Sequence, residues 1–351
     1  MENGKAEGPA RARVTIHEVA RAAGVSIATV SLALADNPAV AAGTKERVRD
    51  VAARLSYSPS AAGRALRARR ANAVALVVPH SGQHVFSHLY FMDVLAGVSE
   101  IVNRAGMTMV LSTALAEDAE EAAYLKILRS QQVDGIILAS AALHDQYIPR
   151  LRASGYPFVF LGRYPLDESV AAIGVADVEG ARQAVAHLLG HGHTRIAHIS
   201  GPLAHLSAAD RLEGYRRALT AAGVTPRPEY CPEGDYSEEA GRVAMRALLR
   251  LPEPPTALFA ANDETAVGAF AALREAGLEP GAGFPVVGFD DIVLARLITP
   301  PLTTVRQPMR ALGVAAAELL LGLVDATAPL VLQRELPVAL VVRASCGCAP
   351  G

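Results

Sequence analysis

Gly24 separates two short amphipathic stretches, and that pairing constrains what the N-terminal part of the chain can fold into more than any other feature. Before it, Ile16, Val19 and Ala20 fall at i, i+3 and i+4, giving one apolar stripe. Thr15 and Glu18 have capping-box spacing, so the helix is predicted to start there. Gly24 stands where a left-handed residue closes a helix. Ser26 is the expected N-cap of a second helix, in which Val30 and Leu34 point inward while Ile27, Ala28, Thr29, Ser31 and Leu32 largely do not. A third helix is predicted from about Thr44 to Leu55, packing through Val48, Val51, Ala52 and Leu55. Two short helices joined by a glycine turn, with a third in support, form a helix-turn-helix unit. Such a trio also occurs as a plain packing module, so its function has to be argued from charge.

Residues 1–70 hold 12 Lys/Arg against 6 Asp/Glu, a net of +6, while the remaining 281 residues hold 21 against 29, a net of −8. A near-neutral whole therefore conceals a basic head on an acidic body, the polarity expected if only the head approaches phosphates. Arg64, Arg67, Arg69 and Arg70 could be a solvated linker, but their place beside a helix-turn-helix favours phosphate contact.

Val14-Thr15, Val19-Ala20, Ala23-Gly24-Val25-Ser26, Thr29-Val30-Ser31 and Tyr57-Ser58-Pro59 together resemble the head of the lactose-repressor family of bacterial transcription regulators. The similarity runs over nearly the whole chain after about Val14. It implies DNA contacts from Thr15, His17, Ser26, Ile27, Ala28, Thr29, Ser31, Leu32 and Tyr57, with Ile27, Ala28 and Leu32 facing the major groove. Pro59 to Leu66 resembles the family hinge helix, which orders on specific DNA. There Arg64 would meet the backbone and Leu66 would wedge between bases of the minor groove. Gly63 weakens that short helix by roughly 1 kcal/mol against Ala, so its folding can be conditional on DNA. Leu32 stands where relatives often carry a polar reader of guanine, and Ala41 where they usually cap the third helix with Ser, leaving Thr44 or water to satisfy those amides.

After residue 70, short apolar runs alternate with amphipathic helices: Ala73 to Val78, Met107 to Leu111, Gly135 to Leu138, Phe158 to Leu161, Arg195 to Ile199, Ala257 to Ala260 and Pro285 to Gly288. Such alternation predicts parallel sheets covered by helices on both faces. The expected fold is thus an all-α helix-turn-helix head with a hinge helix, plus an α/β body. The resemblance adds that the body has two parallel-sheet subdomains, similar to periplasmic sugar-binding proteins. It rests on Gly192 to Ala197 with Gly201, on Arg211 to Tyr215, and on Val287 to Asp291 leading to Pro300 through Val305. The domain plan is a disordered tail over 1–13, a DNA-binding domain over 14–58, a hinge and linker over 59–71, and an effector-binding and dimerisation domain over 72–346. Its first subdomain would hold about 72–175 and 305–336, its second about 176–304 and 337–345.

Matching motifs place effector contacts at Arg163, Ser207, Arg211, Tyr236, Asn262 and Asp290. Arg211 offers a planar fork for hydroxyls or a carboxylate, and Asp290 accepts from hydroxyl or amine groups. Asn262 and Ser207 supply short polar contacts, and Tyr236 an aromatic wall. Each has a bland alternative as a surface ion pair or helix cap. Gly162 precedes Arg163 where many relatives have Asp-Arg, which puts one contact in doubt. Ala139, Val175 and Met309 fall at pocket-lining positions. Asp291 beside Asp290 is read as structural, because adjacent side chains diverge. The set fits a sugar or sugar derivative, although purine-sensing relatives use a similar Arg and Asp.

No segment is apolar enough to span a bilayer, the N-terminus is polar, and three cysteines give no disulfide framework, so the cytoplasm is expected. His191 and His193 with Cys346 and Cys348 give no convincing metal spacing, and the Cys346-Gly347-Cys348 tail is expected to be frayed and inert. No metal, cofactor or catalytic group is expected, since no phosphate-binding glycine loop or nucleophile elbow is present. Three functions compete. The leading one is a repressor that binds a two-fold symmetric site on double-stranded DNA as a homodimer and responds to a small polar effector. The rivals are a ligand-binding receptor without a transcriptional role, and an enzyme on a similar scaffold. The family's leucine-rich tetramer tail is missing, which favours the dimer.

Overall fold

The computed structural model describes residues 14–57, 70–81, 86, 88–114, 127, 132–139, 147–328 and 332–348. The chain forms two compact units, Met1–Ala71 and Asn72–Gly351.

The first unit contains α1 (Ile16–Ala23), α2 (Ile27–Leu34) and α3 (Ala42–Arg54). The Glu18 carboxylate accepts from the Thr15 amide at 2.7 Å and from its hydroxyl at 3.0 Å, which pins the start of α1. Gly24 closes the helix at φ 66°, and the Val25 amide reaches back to Ala20 at 3.1 Å. Ser26 caps α2 by accepting from the Thr29 amide at 3.1 Å. α3 starts two residues earlier than its pattern suggests. Ala41 has no side chain to offer, and its carbonyl takes the Thr44 and Lys45 amides at 3.0 and 3.1 Å. Val19, Ala20, Ala23, Val30, Val48, Val51 and Ala52 form the core, with Leu34, Leu55 and Tyr57 packed around it.

The second unit holds two sheets. The first has six strands in the order β10-β5-β4-β3-β1-β2, comprising β1 (Ala73–Ser81), β2 (Thr108–Ala114), β3 (Gly135–Ala139), β4 (Phe158–Leu161), β5 (Ala172–Val175) and β10 (Gln333–Leu336), all parallel. The second runs β11-β9-β8-β7-β6 and comprises β6 (Ile196–Ile199), β7 (Ala257–Ala260), β8 (Val286–Asp290), β9 (Thr303–Arg306) and β11 (Ala339–Val341). Only β11 is antiparallel there, paired with β9. The chain thus passes between sheets after β5, after β9 and after β10. The subdomain switch expected at residue 305 falls inside β9, which stays in the second sheet.

Seven strands lie on the apolar runs read from the sequence; β5, β9, β10 and β11 do not. Parallel strands covered on both faces read as continuous apolar runs, and alternation within them divides the core. Leu258 and Ala260 face Met245 and Phe270, while Ala257 and Phe259 face Tyr215, Val185 and Leu188 on the other side of the sheet. On the first sheet Leu76, Ile137 and Val159 pack with α4 (Leu89–Arg104) and α11 (Met309–Val324). Those helices touch through glycine: a Cβ at Gly97 would stand 2.1 Å from the Arg310 carbonyl oxygen, and one at Gly313 would stand 2.3 Å from that of Val94.

The tail is not frayed over its described residues. Ala344–Cys346 forms a 3-10 turn, and buried Ser345 accepts from the Thr303 amide at 2.8 Å and donates to the Val286 carbonyl at 2.6 Å. That docks it across β8 and β9, which a count of cysteines could not foresee.

Candidate functional site

The carboxyl ends of the strands of both sheets border one cleft of about 130 Å³. This is where open parallel sheets present ligands, because the loops after the strands converge there. Its first-sheet wall includes Ala139 at the end of β3, Leu161 ending β4 with Gly162 after it, and Gly174 and Val175 on β5. Its second-sheet wall includes Asn262 just after β7 and Asp290 at the end of β8.

Arg211 organises the polar part. It projects from α7 (Leu206–Ala221) and is only 5% exposed. Its Nε donates to Asp177 at 2.8 Å, its Nη1 donates to the Ala261 carbonyl at 2.6 Å, and Nη1 lies 3.7 Å from Asp290 Oδ1. The guanidinium also lies 3.8 Å above the Phe289 ring centroid. Asp177 opens α6 (Asp177–Gly190). Burial pushes the Asp177 carboxyl upward, against the pull of Arg211. Burial likewise raises Asp290 to about 7, opposed by Arg211 and by the Gln307 amide that donates to it.

A second polar group surrounds Glu264, in the first turn of α9 (Asp263–Glu275). It meets His88 Nδ1 at 2.5 Å and accepts from the Leu89 amide at 3.2 Å and from Asn262 Nδ2 at 3.0 Å. For His88, burial favours the neutral ring, but the Glu264 hydrogen bond and charge outweigh it and the pKa is raised. Asn262 also caps α9, accepting from the Thr265 amide at 2.9 Å, and donates to the Tyr236 carbonyl at 3.0 Å. The Tyr236 hydroxyl lies 3.1 Å from Ser207 Oγ. Its ring covers Gly201, where a Cβ would stand 2.1 Å from Cζ. Tyr236 (φ 70°), Asp290 (φ 116°) and Asp291 (φ 59°) hold left-handed backbone, a cost that gathers at functional sites.

Of the sequence-derived positions, Ser207, Arg211, Tyr236, Asn262 and Asp290 come together here with Ala139 and Val175. Arg163 and Met309 do not line the cleft. Arg163 is locked into a bidentate pair with Asp210, at 3.0 and 2.7 Å, and Met309 packs into the core of the first sheet. Asp291 is held by Arg306 at 2.6 Å and by Arg343. Sequence reasoning missed His88, Tyr90, Asp177, Glu264 and Gln307, all of which line the cleft. Only Glu264 carried a signal, two residues after Asn262 at a helix start.

In the head, Ile27 and Leu32 on α2 are 39% and 40% exposed, and Thr15, His17, Ser26 and Ala28 are also exposed. Thr29 and Tyr57 are half-buried. Ser31, expected to face DNA, is buried and its hydroxyl has no hydrogen-bond partner. It lies one turn before Leu34, about 60° from it around α2, on the side that packs against the core. Arg64 and Leu66, with the rest of the expected hinge helix, lie outside the described residues, as does the 1–13 tail.

Residues 15–60 match the sequence model of bacterial regulatory proteins of the lacI family, and residues 185–346 match that of a periplasmic binding protein-like domain. The HTH-type transcriptional regulator CelR of Thermobifida fusca is 35% identical over 335 residues, covering 93% of this chain and 98% of CelR. A solved CelR–cellobiose complex is similar at a TM-score of 0.74 and 33% identity, over 95% of this chain and 100% of that one. A lac repressor dimer bound to operator and the anti-inducer ONPF gives a TM-score of 0.83 at 30% identity, over 95% of this chain and 99% of that one.

Proposed function

The chain belongs to the lacI family of bacterial regulatory proteins, and from that premise we propose that a sugar or sugar derivative in the Arg211–Asp290 cleft sets its affinity for a two-fold symmetric operator. The protein is a DNA-binding transcriptional repressor controlled by a small effector, and it works as a homodimer. It acts by binding rather than by turnover. No helix among the described residues is long and apolar enough to cross a membrane; a repressor of bacterial operators works on DNA in the cytoplasm.

One observation carries this reading. The chain joins a three-helix head, set within an N-terminal stretch (1–70) of net charge +6 and with Ile27 and Leu32 exposed on α2, to a cleft where two sheets converge on one buried guanidinium. A receptor without a transcriptional role would have no use for such a head. Arg211, Asp290, Asn262 and Ser207 supply directional donors and acceptors for hydroxyl groups, and Tyr236 supplies a ring face, the composition of a saccharide subsite. The CelR–cellobiose complex supports that ligand class.

The strand exchanges after β5, β9 and β10 are the natural pivots between the sheets. A ligand that prefers one angle between them shifts the population by its differential affinity, and whatever factor it imposes on operator affinity, bound operator imposes on ligand affinity in return. Calorimetric titration of cellobiose and other small sugars into the purified protein, beside gel-shift assays on a symmetric promoter fragment, tests the assignment. Binding of neither DNA nor any sugar would reject it.

A further inference from the structure

The end of α6 and the docked C-terminal segment bring three metal-ligating side chains to one place, outside the cleft. His187 lies in the last turn of α6 and His191, four residues on, is its C-cap, so the two share a face. Their rings meet edge to face with centroids 4.7 Å apart. Cys348 Sγ lies 3.1 Å from His191 Nε2 and 3.6 Å from His187 Nε2, and the three ligand atoms all fall within 4.8 Å of one another. A tetrahedral zinc ion holds imidazole nitrogen at about 2.0 Å and thiolate sulfur at about 2.3 Å, which separates the two by about 3.5 Å. The two sulfur-to-nitrogen distances straddle that value. Sequence reading paired His191 with His193 and so missed the helical i, i+4 partner.

We propose that His187, His191 and Cys348 bind a divalent cation of the zinc class, with water completing the tetrahedron. Two imidazoles and one thiolate are the ligand softness that zinc accepts and that magnesium or calcium does not. Cys346 neighbours His187 and Cys348 but stays outside the ligand set: it is 2% exposed and its Sγ donates to the Arg343 carbonyl at 3.3 Å. The ion ties the segment after β11 to α6, the helix whose first residue, Asp177, holds Arg211. Because the ligands converge only in the folded chain, the cation stabilises the native state by mass action.

The test uses the full-length protein stripped by a chelator. Cobalt(II) is added first as a spectroscopic stand-in, then zinc in competition with a chromophoric chelator. We expect one cobalt ion per chain with a sulfur-to-metal charge-transfer band, and zinc should displace it. Cys348→Ser should lose the band, and both Cys348→Ser and His191→Ala should weaken zinc binding at least tenfold. Cys346→Ser should keep both band and affinity. His191 is exposed, so His191→Ala guards against a folding defect at Cys348. Zinc should raise the thermal midpoint of the wild type and leave that of Cys348→Ser unmoved. A missing charge-transfer band in the wild type, or wild-type zinc affinity in either ligand variant, overturns the site.

Discussion

Arg211 Nη1 stands 3.7 Å from Asp290 Oδ1, beside it in the cleft, while Nε of the same guanidinium donates to Asp177 at 2.8 Å. One cation thus serves two buried carboxylates from two different elements, and the longer separation leaves the Asp290 side open to a third partner. Truncating Arg211 removes the charge that both carboxylates share. Arg211→Ala should destabilise the protein by about 3–5 kcal/mol in urea unfolding, because it leaves buried charge uncompensated. It should also abolish the effector response. Undiminished effector affinity would remove Arg211 from the site.

The carboxyl of Asp290 is raised from 3.8 to about 7 by burial. Since its folded pKa lies above the unfolded one, the native protein holds an extra proton between about pH 4 and pH 7. Its contribution to stability therefore falls as pH rises through that window and levels off above it, with a limiting slope of about 1.4 kcal/mol per pH unit. Unfolding free energies measured from pH 4 to 8 should show this slope reduced in Asp290→Asn. Effector affinity should move the other way and rise with pH through 7, because the ionised carboxylate is the stronger acceptor for a ligand hydroxyl. Calorimetry on Asp290→Asn should find a flat profile.

Gly201 is where the Tyr236 ring lies against the backbone. Gly201→Ala must push the ring off that surface, at a stability cost of about 1–3 kcal/mol. Effector binding should weaken and operator binding in its absence should persist. A crystal structure of the variant with Tyr236 unmoved would refute the steric argument.

On α2, Val30 is fully buried and Leu32 is 40% exposed. Val30→Ala should lower stability by about 1–3 kcal/mol. Leu32→Ala should change stability by less than about 0.5 kcal/mol yet cost about 1–3 kcal/mol of specific DNA binding. Its salt dependence should be preserved, since no phosphate contact is lost. Equal losses on specific and random DNA would contradict a base-reading role for Leu32.

The parts legible in the sequence are those that short-range pattern encodes. Apolar stripes, caps and Gly24 located the three head helices, and continuous apolar runs located seven strands, because covered parallel strands must be apolar on both faces. β5, β9, β10 and β11 were harder. They are three or four residues long, and Gln333-Arg334-Glu335 is exposed or half-exposed at a sheet edge. In the cleft, motif matching found the side chains set on strand ends and on α7. It missed His88, Asp177 and Glu264, whose meaning comes from partners as far as 176 residues away. Arg163 and Ser31 sit elsewhere than their motifs suggest for a related reason: Asp210 pairs with the first, and the packing of α2 buries the second.

Coupling between head and cleft can be read in one titration. The protein is used to select a two-fold symmetric fragment from a random DNA library. Fluorescence anisotropy then follows affinity for that fragment as a sugar that binds the cleft is added, with Asp290→Asn in parallel. A shift of at least about fivefold in operator Kd for the wild type, with none in Asp290→Asn, is the predicted result. No selected sequence, or an identical shift in both proteins, would contradict it.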